Sequence, residues 1–323
     1  MFRRTGLAVL ACGLCSAAAM AAEGSSLAGP IGGTDIRSAF LPPPGLYGGA
    51  IYVRGGAHNF TDGGGNEIPA LDGLNLHQHF GAGFLLYVPP VQVFGGSIGI
   101  AGVLVGGENC GRLFRAAPKH CNAGAGDPYV EIEWSRFFGK VRPSSDPSAY
   151  PIAQGLAIEL GVGALVPVGS YGAEEARTRG TTIGSNIWDI APLAALTYTT
   201  SPILADGTEF SAKVYWNNYF ENADTHYQTG VLVNVDFALT EHVGRWQIGL
   251  AGAYFEQIAD DSAGGIRVPP DGRQNKTLAL GAVAAYDMPE LGATIRVKAL
   301  KSLYTENFVE SHGVAVLYVM KLQ

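Results

Sequence analysis

The sequence predicts an all-β protein, a transmembrane antiparallel up-and-down β-barrel of about twelve strands. Three observations predict it. Apolar residues alternate with small or polar ones over long segments, the connections between the segments alternate in length, and aromatic residues fall near the segment ends. The composition agrees: with 323 residues, 47% of them hydrophobic and 15% charged, the chain is too apolar for disorder and too polar for a bundle of lipid-spanning helices.

The charge excludes one class of partner. The formal net charge is −7 and there is no cluster of lysines and arginines, so we expect no nucleic-acid partner. The 45 glycines follow no three-residue period, which excludes collagen.

The first 21 residues predict a signal peptide. Arg3 and Arg4 precede the uncharged stretch 5–22, and Ala19-Met20-Ala21 fits the small-x-small cleavage pattern. The apolar part is too short and too rich in alanine for a membrane anchor. We therefore expect export, with Ala22 as the mature N-terminus.

Two cysteines, Cys110 and Cys121, remain after cleavage. They flank a short polar stretch, and in an oxidising compartment such a pair predicts one disulfide that closes the loop. A metal site would need more ligands than the adjacent His120 supplies.

Residues 22–44 form a leader rich in glycine and serine that precedes the barrel domain, residues 45–323. Two interpretations stay open. The leader is either a disordered periplasmic segment or a plug that folds into the barrel, because twelve strands enclose more space than their own inner side chains fill.

Alternation with period two is the signature of a strand with two different faces. Leu156, Leu160 and Val162 alternate with Ala157, Glu159 and Gly161, and Leu74 to Val88 alternates in the same way with Asn75, His77, His79 and Gly81. We assign the apolar parity to lipid and the small or polar parity to the lumen. Such segments lie near residues 45–57, 73–88, 91–106, 127–139, 151–168, 187–200, 207–219, 226–239, 244–258, 275–287, 292–303 and 311–322.

The connections and aromatics fit a barrel. Short turns are expected at one end and long polar loops at the other, including a long loop over 304–310. Aromatics near the segment ends predict two girdles at the lipid interfaces, with Tyr47, Phe138, Phe237, Trp246 and Tyr286 at the short turns and Trp188, Trp216, Tyr227 and Tyr254 at the long loops.

Two observations bear on the alternatives to this fold. A soluble β-sandwich would have shorter strands and a second face rich in lysine and glutamate, and here that face is mostly glycine, alanine, serine and asparagine. Pro192 conflicts with a closed barrel, since it lacks a backbone donor. We expect that strand to begin later or to carry a bulge.

Several polar residues are candidates for the lining of the lumen. Opposite charges inside a barrel can pair across it or create a transverse field that orients a solute. The candidates are His77, His79, Glu131, Glu133, Glu159, Arg296 and Lys298.

The sequence gives little support to catalysis. Gly95-Gly96-Ser97-Ile98-Gly99 fits the G-x-S-x-G pattern, but it lies in a predicted strand without the following helix that a nucleophile elbow requires. We expect no enzyme activity, no cofactor and no metal. Two alternatives to a channel remain: a barrel enzyme acting on outer-membrane lipids, and a structural or adhesive barrel with a closed lumen.

The segment Phe40-Leu41-Pro42-Pro43-Pro44-Gly45-Leu46-Tyr47, which opens the first strand, resembles the family of meta-pathway phenol degradation proteins. The resemblance extends loosely over the mature chain. It implies a Gram-negative outer-membrane barrel that takes up aromatic or other hydrophobic compounds, with no catalytic motif.

From these observations we expect a channel for passive uptake of small, hydrophobic or aromatic solutes in the Gram-negative outer membrane. The expected partners are the lipid bilayer and its lipopolysaccharide, the solute, and the barrel-assembly machinery.

Overall fold

The computed structural model describes residues 34–178 and 182–323. Twelve antiparallel strands, numbered here β1–β12, form a closed barrel, which confirms the predicted fold class. Closure is complete because β1 pairs with both β12 and β2, and β2 with β3. The strands are β1 Gly45–Phe60, β2 Asn75–Val88, β3 Gly96–Arg112, β4 Tyr129–Arg142, β5 Ile152–Leu165, β6 Asp189–Thr199, β7 Gly207–Tyr219, β8 Leu232–Val243, β9 Trp246–Gln257, β10 Lys276–Met288, β11 Ala293–Glu306 and β12 Val309–Lys321.

Closure follows from the solvent. In hydrocarbon each unpaired backbone group costs several kcal/mol, and a closed barrel leaves no strand edge unpaired. Among the described residues no helix has the length and apolarity needed to cross a membrane. The predicted signal peptide, residues 1–21, lies outside the described residues, as does the leader up to residue 33.

Short and long connections lie at opposite ends of the barrel, as predicted. The end with the short connections also holds the start of β1 and the end of β12, and the described part of the other end includes a short α-helix, α1 (Ala173–Thr178), and a 3-10 turn, Pro69–Leu71. The predicted long loop over 304–310 is wrong. Only Asn307 and Phe308 join β11 to β12, and Asn307 takes a φ of 47°, which permits a tight turn.

The faces of β4–β9 follow the predicted alternation. Leu160, Trp216 and Leu250 are exposed on the outside, whereas Glu159, Asn234 and Asp236 are buried inside. Most predicted girdle aromatics point outward; the rings of Trp246 and Tyr286, for example, stack at the short-turn end with centroids 4.7 Å apart. Tyr47 and Tyr227 do not, because both are buried and their hydroxyls bond Pro43 and Asp261.

The two faces of strand β2 are reversed relative to the prediction: the face predicted to contact lipid points into the lumen. Gly99 on β3 faces inward, since a Cβ there would lie 2.7 Å from the Leu41 side chain of the leader. The registers between neighbouring strands then place Phe80 and Phe84 inside, with His77, His79 and Leu85 outside. The prediction failed because this stretch of wall is apolar on its inner face, so the usual rule of apolar outside and polar inside does not apply.

Pro192 lies within β6, which neither begins later nor bulges. The ladder to β5 continues through the pair Val162 and Pro192, whereas the ladder to β7 has no pairs between Ile190 and Leu193. The missing backbone donor therefore interrupts one ladder without shifting its register.

The predicted disulfide is confirmed. Cys110 of β3 is bonded to Cys121, which lies directly opposite it in a short strand, His120–Ala125, at the long-loop end of the barrel.

Candidate functional site: the barrel lumen

The inner wall formed by β12, β1, β2 and β3 is apolar. Its inward side chains include Ile51, Phe84, Val103 and Leu317, and all four are only partly buried. No charged side chain of these four strands points into the middle of the barrel. Arg54, for example, is directly opposite Val314 and His79 on the neighbouring strands, and like them it points outward. This apolar wall thus gives a solute apolar surface to contact. 

The opposite wall carries a buried ionic cluster. The Lys213 ammonium on β7 lies 2.6 Å from a Glu131 oxygen, 2.8 Å from Glu159 and 3.3 Å from Glu133. It also lies 5.3 Å from the centre of the Tyr215 ring, within the range of a cation–π contact. The three carboxylates could also hold a metal ion, since their oxygens lie within 4.8 Å of one another. Here the ammonium supplies the compensating charge.

The described part of the leader, residues 34–44, runs through the barrel interior. Asp35 is fully buried, and its carboxylate accepts hydrogen bonds from Lys298 at 2.8 Å and Arg296 at 3.2 Å, both on β11. Arg37 pairs with Asp287 of β10 at 2.8 Å, and its backbone amide donates to Glu209 of β7 at 2.9 Å.

Further contacts extend the leader across the lumen. Ahead of the ion pairs, the Thr34 amide and hydroxyl both donate to Asp236 of β8 at 3.0 Å. Beyond them, the Ser135 hydroxyl of β4 donates to the Ala39 carbonyl at 2.5 Å, and Phe40 stacks on Phe137. The leader therefore covers the charged side of the lumen and leaves the apolar wall partly exposed.

An apolar cluster fills the long-loop end of the barrel, and we call it the mouth cluster. Its members come from β4, β5, β7, β8, β9 and β12 and from the connections before β6 and β12, so it covers a large part of the opening. They are the buried Leu165, Ile187, Tyr219, Leu232, Phe255 and Phe308, with Tyr129 and Val309 packed against them.

The structure places the predicted lining residues in three groups. Glu131, Glu133 and Glu159 come together at Lys213, and Arg296 and Lys298 come together at Asp35 of the leader. The two groups do not pair with each other across the lumen. His77 and His79 lie on the outer face, where the His79 ring contacts the Tyr52 hydroxyl at 3.0 Å.

Three residues central to these contacts were missed: Lys213, Asp35 and Arg37. Lys213 does carry a sequence signal, since it falls on the small and polar parity of β7 with Glu209 and Ser211. Asp35 and Arg37 carry none, because the leader has no alternation from which a direction could be read.

The closed twelve-stranded wall, with apolar side chains outside and paired charges inside, defines a transmembrane β-barrel. The chain belongs to the family described as "Putative MetA-pathway of phenol degradation", whose profile matches residues 57–318. No curated protein sequence matches it.

Solved structures share the fold. The COG4313 outer membrane channel from Pseudomonas putida F1 is similar with a TM-score of 0.72 at 15% identity, over 88% of this chain and 98% of that one. The transport unit of the autotransporter AIDA-I from Escherichia coli has a TM-score of 0.50 at 8% identity, over 95% and 98%. The Pseudomonas putida toluene transporter TodX has a TM-score of 0.45 at 10% identity, over 94% of this chain and 96% of that one. This similarity is too low to support a comparison of sites.

Proposed function

We propose that the protein is a passive outer-membrane channel for small hydrophobic or aromatic compounds. The partly exposed apolar wall on β12 and β1–β3 carries this proposal, because a lumen that only passed ions or sugars would have no use for it. The family description, which refers to phenol degradation, and the fold shared with an outer membrane channel both support it.

In this mechanism no covalent chemistry is needed. The mouth cluster collects an apolar solute from the long-loop side, and the solute then moves along the apolar wall, past Phe84 and Val103, to the short-turn end. The leader acts as a plug that narrows the passage, held by the ion pairs of Asp35 and Arg37. We propose no catalytic role for any of these residues.

The location follows from the same proposal. The signal peptide is cleaved after residue 21, and the barrel-assembly machinery inserts the chain into the outer membrane of a Gram-negative cell. The long-loop end then faces lipopolysaccharide.

The test is permeation into liposomes. Vesicles containing the protein should swell faster in phenyl glucoside than in a disaccharide, because only the phenyl ring gains contacts with the apolar wall. Phe84→Gln should reduce that preference several-fold. Tyr87→Gln removes an aromatic side chain from the outer face of the same strand and should leave the preference unchanged.

Equal rates for the two solutes would contradict the apolar pathway. An absence of permeation and of ion conductance, even after deletion of residues 23–40, would instead indicate a structural barrel.

A further inference from the structure

One carboxylate inside the barrel has no side-chain partner among the described residues. Asp189, at the long-loop end of β6, is 1% exposed, and no described side chain donates a hydrogen bond to either of its oxygens. A buried carboxylate without a partner is costly, so its presence calls for an explanation, and a bound cationic group is one.

The surroundings of Asp189 are apolar. Its direct neighbours across the sheet are Leu165 of β5 and Tyr219 of β7, both members of the mouth cluster. Asp189 therefore combines a free carboxylate with apolar and aromatic side chains at the opening through which a solute would enter. Aromatic side chains beside a carboxylate are a combination that proteins use to bind ammonium groups.

The wall that carries Asp189 has an excess of acid. The inner faces of β4–β8, all within the described residues, carry one lysine, one histidine and six carboxylates, namely Glu131, Glu133, Glu159, Asp189, Glu209 and Asp236. Lys213 shows what this wall binds, because its ammonium is held by three of the carboxylates and the Tyr215 ring. Glu209 is paired with His242 at 3.0 Å. No lysine, arginine or histidine side chain within the described residues is paired with Asp189.

We propose that the mouth of the lumen binds apolar amines, with the solute's ammonium group at the Asp189 carboxylate and its apolar body among the side chains of the mouth cluster. This inference rests on the proposed channel function and names the solute class within it. A solute with a cationic head and an apolar body matches both walls of the lumen, since one is acidic and the other apolar. A carboxylate solute is disfavoured by the same charges.

The first test is binding to the detergent-solubilised protein, with three probes of nearly equal size: benzylamine, benzyl alcohol and benzoate. A ligand that binds only the folded state raises the unfolding temperature, and at one ligand concentration the rise grows with the logarithm of its affinity. We expect benzylamine to bind about tenfold more tightly than benzyl alcohol, since a charge-assisted hydrogen bond replaces a neutral one, and benzoate not to bind.

Asp189→Asn conserves volume and removes the charge, so it should fold and should bind benzylamine no better than benzyl alcohol. The matched control is Asp72→Asn, which alters an exposed carboxylate at the same end of the barrel that is already paired with Arg115. That variant should keep the wild-type preference.

The proposal is overturned if the wild type binds benzyl alcohol as tightly as benzylamine, or if Asp189→Asn keeps the preference. Because binding is measured without transport, failure of the channel function has a separate signature: benzylamine binds with Asp189-dependent affinity, yet planar bilayers show no benzylammonium current.

Discussion

Lys213 is the positive charge nearest to three buried carboxylates, so its loss would leave all three without a compensating cation. It is 3% exposed and faces three glutamates that are also buried. Removing one member of a buried ionic group leaves the others uncompensated, which costs about 3–5 kcal/mol.

We therefore expect Lys213→Met to destabilise the barrel by about that amount, measured as a lower midpoint of unfolding in a detergent-solubilised sample. Lys140→Met, at an exposed position on β4, is the control and should change the midpoint little. Adding Glu133→Gln to Lys213→Met should restore part of the stability. A double variant less stable than Lys213→Met would show that the glutamates do not depend on the lysine's charge.

Asp206, in the turn before β7, joins three turns at the short-turn end. Its carboxylate accepts hydrogen bonds from the Ser144 hydroxyl at 2.7 Å, the Ser145 amide at 2.9 Å and the Gly244 amide at 2.9 Å. Burial alone raises the pKa of Asp206, but these hydrogen bonds outweigh it and lower the pKa to about 2.

A lowered pKa in the folded state means that the ionised form stabilises the fold. The contribution, roughly 2 kcal/mol, is fully present above the unfolded-state pKa of about 4 and is lost as the pH falls toward 2. Asp206→Asn should thus be less stable than the wild type at pH 7 by that amount, with the difference shrinking between pH 4 and pH 2. Chemical unfolding at several pH values measures it, and a difference that does not change with pH would exclude the ionised carboxylate as its source.

At the scale of elements, the leader and the barrel wall are held together by charge. Asp35 pairs with β11 and Arg37 pairs with β10. Ile36, which lies between them, packs against alanines and Val283 of β8–β10. Removal of both charges leaves the apolar contact but no ionic attachment.

The variant Asp35→Ala/Arg37→Ala should weaken the plug and raise single-channel conductance in planar bilayers several-fold. Arg142→Ala, which alters an exposed arginine at the same end of the barrel, serves as the control and should conduct like the wild type. Wild-type conductance in the double variant would mean that the described leader does not limit the passage.

The sequence predicted the inward and outward faces correctly only for strands whose inner face is polar. β5, β7 and β8 alternate between apolar and polar residues, so burial against lipid could be read from period two. β2 alternates just as strictly, yet its apolar parity contacts the lumen, and its small and polar parity, with Gly81, Gly83 and His79, lies outside. Period two reports that the faces differ; it does not report which solvent each face meets.

At the scale of the whole molecule, the sequence could not predict which charged side chains pair with each other. Lys213 and Glu131 are 82 positions apart, and Asp35 and Lys298 are 263 apart. Their meeting depends on the closure of the barrel and on the path of the leader, neither of which local pattern encodes. The disulfide was predictable because its two cysteines lie close in sequence and because the sequence predicts export to an oxidising compartment.

In the proposed channel, the two walls together would set the selectivity for solutes. An apolar wall alone would accept any hydrophobic solute, and an acidic wall alone would accept any cation. A lumen that presents both at once favours compounds in which the two properties occur together.

The path of the leader sets an order on biogenesis. The leader contacts strands as early as β3 and as late as β11, so its complete binding surface does not exist on a partly inserted sheet. The leader precedes every strand in the sequence, yet it docks only after the strands up to β11 are in place. Until then the growing wall is unplugged, and insertion intermediates should leak.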